Sequence, residues 1–169
     1  MIGKSVCNQY EAALSALHYC MNNCPDTEWN NEHGDAPFCQ VVFHTLFYTD
    51  FYLENDEAGF KEQEFHRNNT ILFKDYEELE YKKARNLYSK NECANYLKHA
   101  LEKCRMTLFH ASDESLNEKP PIRPSIATRL ELHIYSIRHI QHHAAQLGLR
   151  IQLLTKKEMD WFGSGWSAQ

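Results

Sequence analysis

Apolar residues recur every three or four positions along most of this chain, which is the period of an amphipathic helix. One such stripe predicts a first helix over residues 5–24. Pro25 ends it, because the residue before a proline is pushed out of the helical region. A second helix is predicted over 38–54, where apolar residues lie on nearly every side, as in a helix that is buried all round.

Capping signals predict where the next helices begin. Ser89 and Glu92 form a capping box, which predicts a third long helix over 90–109. Asp75 with Glu78 resembles an N-terminal cap and predicts a short helix over 75–88.

A fourth long helix is predicted over 125–153, directly after Pro124, because proline suits a first helical turn. Its apolar residues alternate in steps of three and four, which is typical of a bundle seam. They are Ile126, Leu130, Ile134, Ile137, Ile140, Ala144, Leu147 and Ile151.

These elements predict an all-α fold, a four-helix bundle with long links after its second and third helices. The length suits one domain, expected over residues 1–155. The remaining residues, 156–169, are expected to be a loose C-terminal tail.

Two histidines stand out within the fourth helix. His139 and His143 are four residues apart, so they lie one above the other on one helical face and can coordinate the same metal ion. His44, in the otherwise apolar second helix, is the best third ligand, since a buried imidazole needs a partner for each nitrogen. Three neutral imidazoles suit zinc or nickel and leave coordination positions open, as in a catalytic site.

The alternative is that these histidines are hydrogen-bonded core residues, since the chain holds ten histidines and a chance pair at this spacing is common. Two sharper metal motifs are excluded. The residue after His139 is Ile140 rather than the glutamate of the H-E-x-x-H motif. No glutamate is followed by a histidine three residues later, as a ferritin-like di-iron site requires.

The net charge of −5, without a basic stripe, argues against a nucleic-acid partner. The N-terminus lacks the basic region followed by an apolar region that marks a secretory signal, and no apolar run is long enough to span a membrane. We therefore expect a cytoplasmic protein without a membrane partner. Its six cysteines are expected to be reduced and mostly buried. Cys20 and Cys24 are spaced for a metal, but no second cysteine pair follows them.

The chain resembles the DinB-like (YfiT-like) family of metal-dependent helical bundles over nearly its whole length. The stretch from His139 to Leu147 is similar to the family's H-x-x-H-H-x-x-Q-L motif, and His44 matches its second-helix histidine. Many relatives have Arg-Gly where this chain has Ala144-Ala145, a difference that changes no ligand. The resemblance implies a three-histidine site made of His44, His139 and His143, and a homodimer.

Members of the resembled family include transferases and an isomerase that use low-molecular-weight thiols, and hydrolases. The resemblance therefore implies an enzyme whose zinc or nickel ion activates a thiol or water against a small electrophilic substrate. The alternative is a non-catalytic bundle that binds a metal or small ligand as a sensor or interaction protein. No general base is assigned. Helical spacing makes Tyr48, Asp50 and Gln146 neighbours of the histidines, but Asp50 is expected to face elsewhere as a surface carboxylate.

Overall fold

The computed structural model describes residues 1–32, 36–73, 76–80 and 86–167. Among these residues every regular element is helical, which confirms the all-α prediction. The elements are α1 (Ile2–Asn23), α2 (Phe38–Tyr52), α3 (Glu57–Glu62), α4 (Glu64–Asn68), a 3-10 helix (Glu77–Glu80), α5 (Lys90–Leu108), α6 (Asp113–Asn117) and α7 (Arg129–Thr155).

The long helices α1, α2, α5 and α7 enclose the core. Both α1 and α2 pack against α5 on one side and against α7 on the other. The core between them is dense in aromatic and aliphatic side chains that are almost fully buried, among them Tyr10, Leu14, Phe47, Tyr96 and Leu147. Burial of this apolar area is the main stabilising term for a chain of this size.

The start of α5 was predicted correctly and the start of α7 was not. The Ser89 hydroxyl accepts the backbone N–H of Glu92, whose carboxylate accepts the N–H of Ser89, so the predicted capping box is present. Helix α7, however, begins at Arg129, because the Thr128 side chain caps it through the N–H of Glu131. Pro124 therefore lies in the connection, outside the first turn of α7.

The apolar stripe of α7 is fully buried only in its C-terminal half, at Ile140, Leu147 and Ile151, whereas Leu130 and Ile137 are partly buried against the core. Towards the N-terminus Ile134 is 48% exposed, whereas His133 and Ser136 are buried. His133 can occupy the core because its Nδ1 lies 3.2 Å from the Tyr10 hydroxyl. An apolar pattern alone does not detect a buried polar residue that finds such a partner.

The connection between α2 and α5 contains α3, α4 and the 3-10 helix. A short helix over 75–88 was predicted, but the described part of that range has only the 3-10 helix, and residues 86–88 have no regular secondary structure. Residue 75 and residues 81–85 lie outside the described residues. The connection is anchored by Phe60 and Phe73, which are buried against the core.

The C-terminal segment lies along α1, so the prediction of a loose tail is wrong for residues 156–167. The backbone N–H groups of Gly165, Trp166 and Ser167 donate to acceptors that follow one another along α1. Gly165 has a φ of 72°, a conformation that glycine adopts without strain. Whether residue 155 ends the domain stays a prediction.

All six cysteines are free and buried, as predicted from the sequence. Burial raises the pKa of Cys20 to about 12 and that of Cys24 to about 11, so both thiols stay protonated and unreactive at neutral pH. No helix among the described residues is both long and apolar enough to cross a bilayer.

Candidate metal centre

The packing of α2 against α7 brings the three predicted histidines together. His139 and His143 lie on successive turns of α7, and His44 faces them from α2. The Nε2 atom of His139 lies 3.1 Å from Nε2 of His44 and 3.2 Å from Nε2 of His143. Within the described ranges, this is the one group of three or more histidine, cysteine or acidic side chains that could hold a metal ion.

The spacing of these nitrogens fits tetrahedral coordination. Imidazole nitrogens bind zinc at about 2.0–2.1 Å, which places two ligands of a tetrahedron roughly 3.3–3.4 Å apart. The separations of His139 Nε2 from the other two Nε2 atoms come within a few tenths of an ångström of that value. Three such ligands occupy one face of the tetrahedron and leave its opposite corner open.

Hydrogen bonds to the outer nitrogens orient two of the three rings. Nδ1 of His44 lies 2.7 Å from Oε2 of Glu78, and Nδ1 of His143 lies 2.8 Å from Oε1 of Gln146. Because both partners are acceptors, each Nδ1 carries the proton and each Nε2 presents its lone pair to the centre. Partners of this kind fix the tautomer of metal-binding histidines and increase their basicity.

The hydrogen-bond inventory of the cluster is incomplete without a cation. With the Nε2 atoms of His44 and His143 both presenting lone pairs, a single N–H on His139 could serve only one of them. Nδ1 of His139 is buried without a hydrogen-bond partner among the described residues, and a cation at the Nε2 atoms would not supply one. A metal ion would satisfy all three Nε2 lone pairs at once, so the donor set fits a cation.

The site favours neutral imidazoles. Burial first, and then the neighbouring histidines, lower the pKa of His139 to about 3. Burial, with His44 beside it, also lowers the pKa of His143 to about 4, despite the opposing hydrogen bond to Gln146. Neutral imidazole is the form that coordinates a metal, so protons compete little for these two nitrogens at neutral pH.

Aromatic rings continue the histidine rows along both helices. Three ring pairs cross the α2–α7 interface. Their centroids are 5.0 Å apart for His44 and His143, 5.7 Å for Tyr48 and His139, and 5.6 Å for Tyr52 and Tyr135. Steps of four residues on two antiparallel helices create this register, so one side of the centre is a packed aromatic wall.

Arg123 lies at the far end of this wall. Its guanidinium carbon is 4.8 Å from the Tyr135 ring centroid and 5.5 Å from that of Tyr52, and its Nε donates to the Tyr52 hydroxyl at 3.0 Å. The guanidinium contributes to the lowered pKa of His139, after burial and the neighbouring histidines. This side of the centre is therefore electropositive.

Sequence reasoning missed Glu78 as a partner of the site. It was interpreted as a helix cap, whereas its carboxylate contacts His44 and its backbone oxygen accepts the Tyr48 hydroxyl at 2.7 Å. Glu78 comes from a connection, and no helical spacing relates it to the histidines. Gln146, by contrast, was identified by helix arithmetic as a neighbour.

Asp50 was wrongly expected to be a surface carboxylate, because it is fully buried. It faces α5 and the connection, and accepts hydrogen bonds from Lys103, His66 and Tyr96. Burial alone would raise its pKa, but the hydrogen bond from His66, the nearby His99 imidazole and the Lys103 charge hold that pKa well below its usual range. Asp50 is therefore an ionised core residue on a different face of α2 from His44.

The other histidines in the described part of the chain do not join the centre. His142 is exposed, as predicted from its rotation on the helix. His133 is a core residue bonded to Tyr10, and His66 is buried against Asp50. His33 lies outside the described residues.

Comparison with known protein families identifies the family to which the chain belongs. A family model described as the DinB superfamily matches residues 9–147, a range that includes all three histidines of the centre. No curated protein and no solved structure matches the chain significantly. Because the family model covers most of its length, the chain belongs to the DinB superfamily.

Proposed function

We propose that this member of the DinB superfamily is a metal-dependent enzyme with the architecture of a four-helix bundle. In this proposal His44, His139 and His143 hold one divalent cation, zinc or nickel, beside which a thiol or a water attacks a small electrophile. The observation that carries the proposal is the convergence of three Nε2 atoms, two of them on rings oriented from outside by Glu78 and Gln146.

The donor set supports a metal of intermediate softness. Neutral imidazoles suit zinc and nickel, whereas calcium and magnesium prefer oxygen ligands. A divalent cation bound here would lower the pKa of a thiol or water in the open coordination position. A thiolate is a far stronger nucleophile than a thiol, so this shift is the chemistry that the site would supply.

The protein's own residues position and shield the nucleophile. Tyr48 and Tyr52 are buried and close one side of the centre, whereas the His44 side chain is 33% exposed and marks the accessible side. Glu78 is committed to the outer nitrogen of His44, on the side of that ring away from the centre, so it orients the ring and is not placed to act as a general base. The proton of a thiol would pass to solvent at the accessible side.

A model transfer reaction tests the proposal. Glutathione or cysteine is offered with 1-chloro-2,4-dinitrobenzene, so that a sulfur–carbon bond forms, chloride leaves and the thiol proton enters the buffer. A hydrolytic arm offers an activated ester to the same protein. The rates of metal-free, zinc-loaded and nickel-loaded wild-type protein are compared with those of His139→Ala. The homodimer and the cytoplasmic location are not addressed by this test and stay predictions.

We expect a saturable rate that requires metal and disappears in His139→Ala. The proposed enzyme would be contradicted if metal-loaded protein showed no rate above His139→Ala in either arm. Stoichiometric metal binding without turnover would support the alternative of a non-catalytic binding or sensing bundle.

A further inference from the structure

The outer partner of His44 lies on a connection rather than on one of the long helices. Glu78 belongs to the 3-10 helix Glu77–Glu80, between α4 and α5. Its side chain is only 10% exposed and its carboxylate contacts His44 at 2.7 Å. The orientation of His44 therefore depends on what holds this connection against α2.

Tyr76, two residues before Glu78, anchors the connection to a buried polar cluster. Its hydroxyl lies 3.1 Å from Nδ1 of His66, whose Nε2 lies 3.0 Å from Oδ2 of Asp50. The same hydroxyl lies 3.4 Å from the backbone oxygen of Lys61. His66 and Asp50 are 2% and 0% exposed, so their end of the anchor is shielded from water, whereas Tyr76 is half-buried.

The direction of each hydrogen bond in this chain follows from the charge states. Asp50 is ionised and accepts, so Nε2 of His66 donates to it. Burial lowers the pKa of His66, so the ring is neutral and its Nδ1 is an acceptor. The Tyr76 hydroxyl therefore donates to His66, and loss of that hydroxyl would leave a buried nitrogen unsatisfied.

The backbone at Tyr76 is strained, which indicates that its position is imposed by the surrounding contacts. Its φ is 43°, in the left-handed region that bulky residues rarely adopt. Immediately beyond this turn the chain presents the Glu78 carboxylate to His44 and the Glu78 carbonyl to Tyr48. The strained turn thus joins the buried anchor to the outer side of the metal centre.

We propose that the hydrogen-bonded chain Asp50–His66–Tyr76 is a positioning device that holds Glu78 against His44 and thereby sets the metal affinity of the three-histidine centre. The proposal rests on the metal site of the proposed function. It adds residues that influence this site without contacting the metal ion. Tyr76 is a positioning residue, because it acts on the centre only through Glu78.

A double-mutant cycle on zinc affinity tests this coupling. Zn²⁺ dissociation constants are measured against a competing chromogenic chelator for wild type, Tyr76→Phe, Glu78→Ala and the double variant. Tyr19→Phe is the matched control, because it also removes a tyrosine hydroxyl bonded to a backbone oxygen, that of Glu158 at 3.1 Å, away from the centre.

We expect Glu78→Ala to weaken zinc binding by about 10–100-fold. Tyr76→Phe should weaken it by roughly three- to tenfold, the effect of one lost hydrogen bond. The double variant should match Glu78→Ala within about twofold, since Tyr76 has no carboxylate left to position. Tyr19→Phe should bind zinc like wild type.

A second readout needs no metal. Long-range ¹H–¹⁵N spectra of the metal-free protein report which nitrogen of His44 carries the proton, and the contact with Glu78 predicts Nδ1 in wild type. Tyr76→Phe should reduce the population of that tautomer.

The inference is overturned if zinc binding by Tyr76→Phe equals that of wild type, if the two single effects add fully in the double variant, or if the His44 tautomer is unchanged. If wild type binds no zinc, the proposed function fails as well as the inference. If wild type binds zinc and only the coupling is missing, the positioning device alone is wrong.

Discussion

Replacing Asp50 by asparagine should cost more stability than any other Asp→Asn or Glu→Gln substitution in this protein. Asp50 is fully buried, and its two oxygens accept from Lys103, His66 and Tyr96, and from the Gln63 amide at 3.1 and 3.3 Å. Asparagine keeps the shape but places an NH₂ group against some of these donors and removes the charge opposite Lys103.

The magnitude follows from these contacts. A hydrogen bond to a charged group contributes about 1.5–3 kcal/mol, and a buried donor left unsatisfied costs about 1–3 kcal/mol. Loss of one charge-assisted bond together with one unsatisfied donor would cost about 2.5–6 kcal/mol. Breaking a buried ion pair costs about 3–5 kcal/mol, which lies within that range and is the loss expected here. Glu54, the second carboxylate paired with Lys103, remains and keeps the cost within this range.

Urea unfolding of metal-free protein at pH 7 measures the change. The matched control is Asp56→Asn, because Asp56 is exposed and caps α3, a role that asparagine fills equally well. We expect a loss of about 3–5 kcal/mol at unchanged m for Asp50→Asn and less than about 0.5 kcal/mol for the control. A loss below about 1 kcal/mol at Asp50 would refute the view that its charge holds α2, α5 and the connection together.

Three further changes test other parts of the structure. Gly3→Ala should destabilise by about 1–3 kcal/mol in thermal unfolding, because its Cβ would lie 2.5 Å from the Leu108 carbonyl oxygen. Burial lowers the pKa of His133 to about 4. Below about pH 6.5 the unfolded chain therefore binds more protons than the folded chain, and the free energy of unfolding falls on acidification. His133→Gln should reduce this loss between pH 7 and pH 5 by up to about 2 kcal/mol, measured by urea unfolding. Gln146→Leu removes the acceptor for His143 and should weaken zinc binding by about tenfold in chelator competition.

The parts of the site that lie on regular helices could be predicted from the sequence. His139 and His143 share a face because of helical periodicity. The apolar surroundings of His44 indicated an imidazole with a partner, although the ring is only partly buried. Gln146 follows His143 by three residues and was within reach of the same arithmetic. The periodicity is local, so it needs no knowledge of the tertiary fold.

The contributions from the connection could not be predicted in this way. Glu78 contacts His44 from a connection in which Tyr76, two residues earlier, has a left-handed backbone conformation, and no residue pattern predicts that conformation. Asp50 was correctly placed on another face of α2, but its burial depends on Lys103 from α5 and His66 from α4. These are long-range contacts between charged and polar groups, and sequence reasoning assigns such groups to the surface by default.

The metal content of untagged protein tests the central claim most directly. Wild type, His44→Ala and His143→Ala are incubated with zinc or nickel, freed of excess metal and analysed for metal per chain; a polyhistidine tag is excluded because it binds nickel itself. We predict about one ion per chain in wild type, the stoichiometry of a single three-histidine site, and loss of that ion in both variants. Absence of metal from wild type, or retention of a full equivalent in both variants, would contradict a centre built from these histidines.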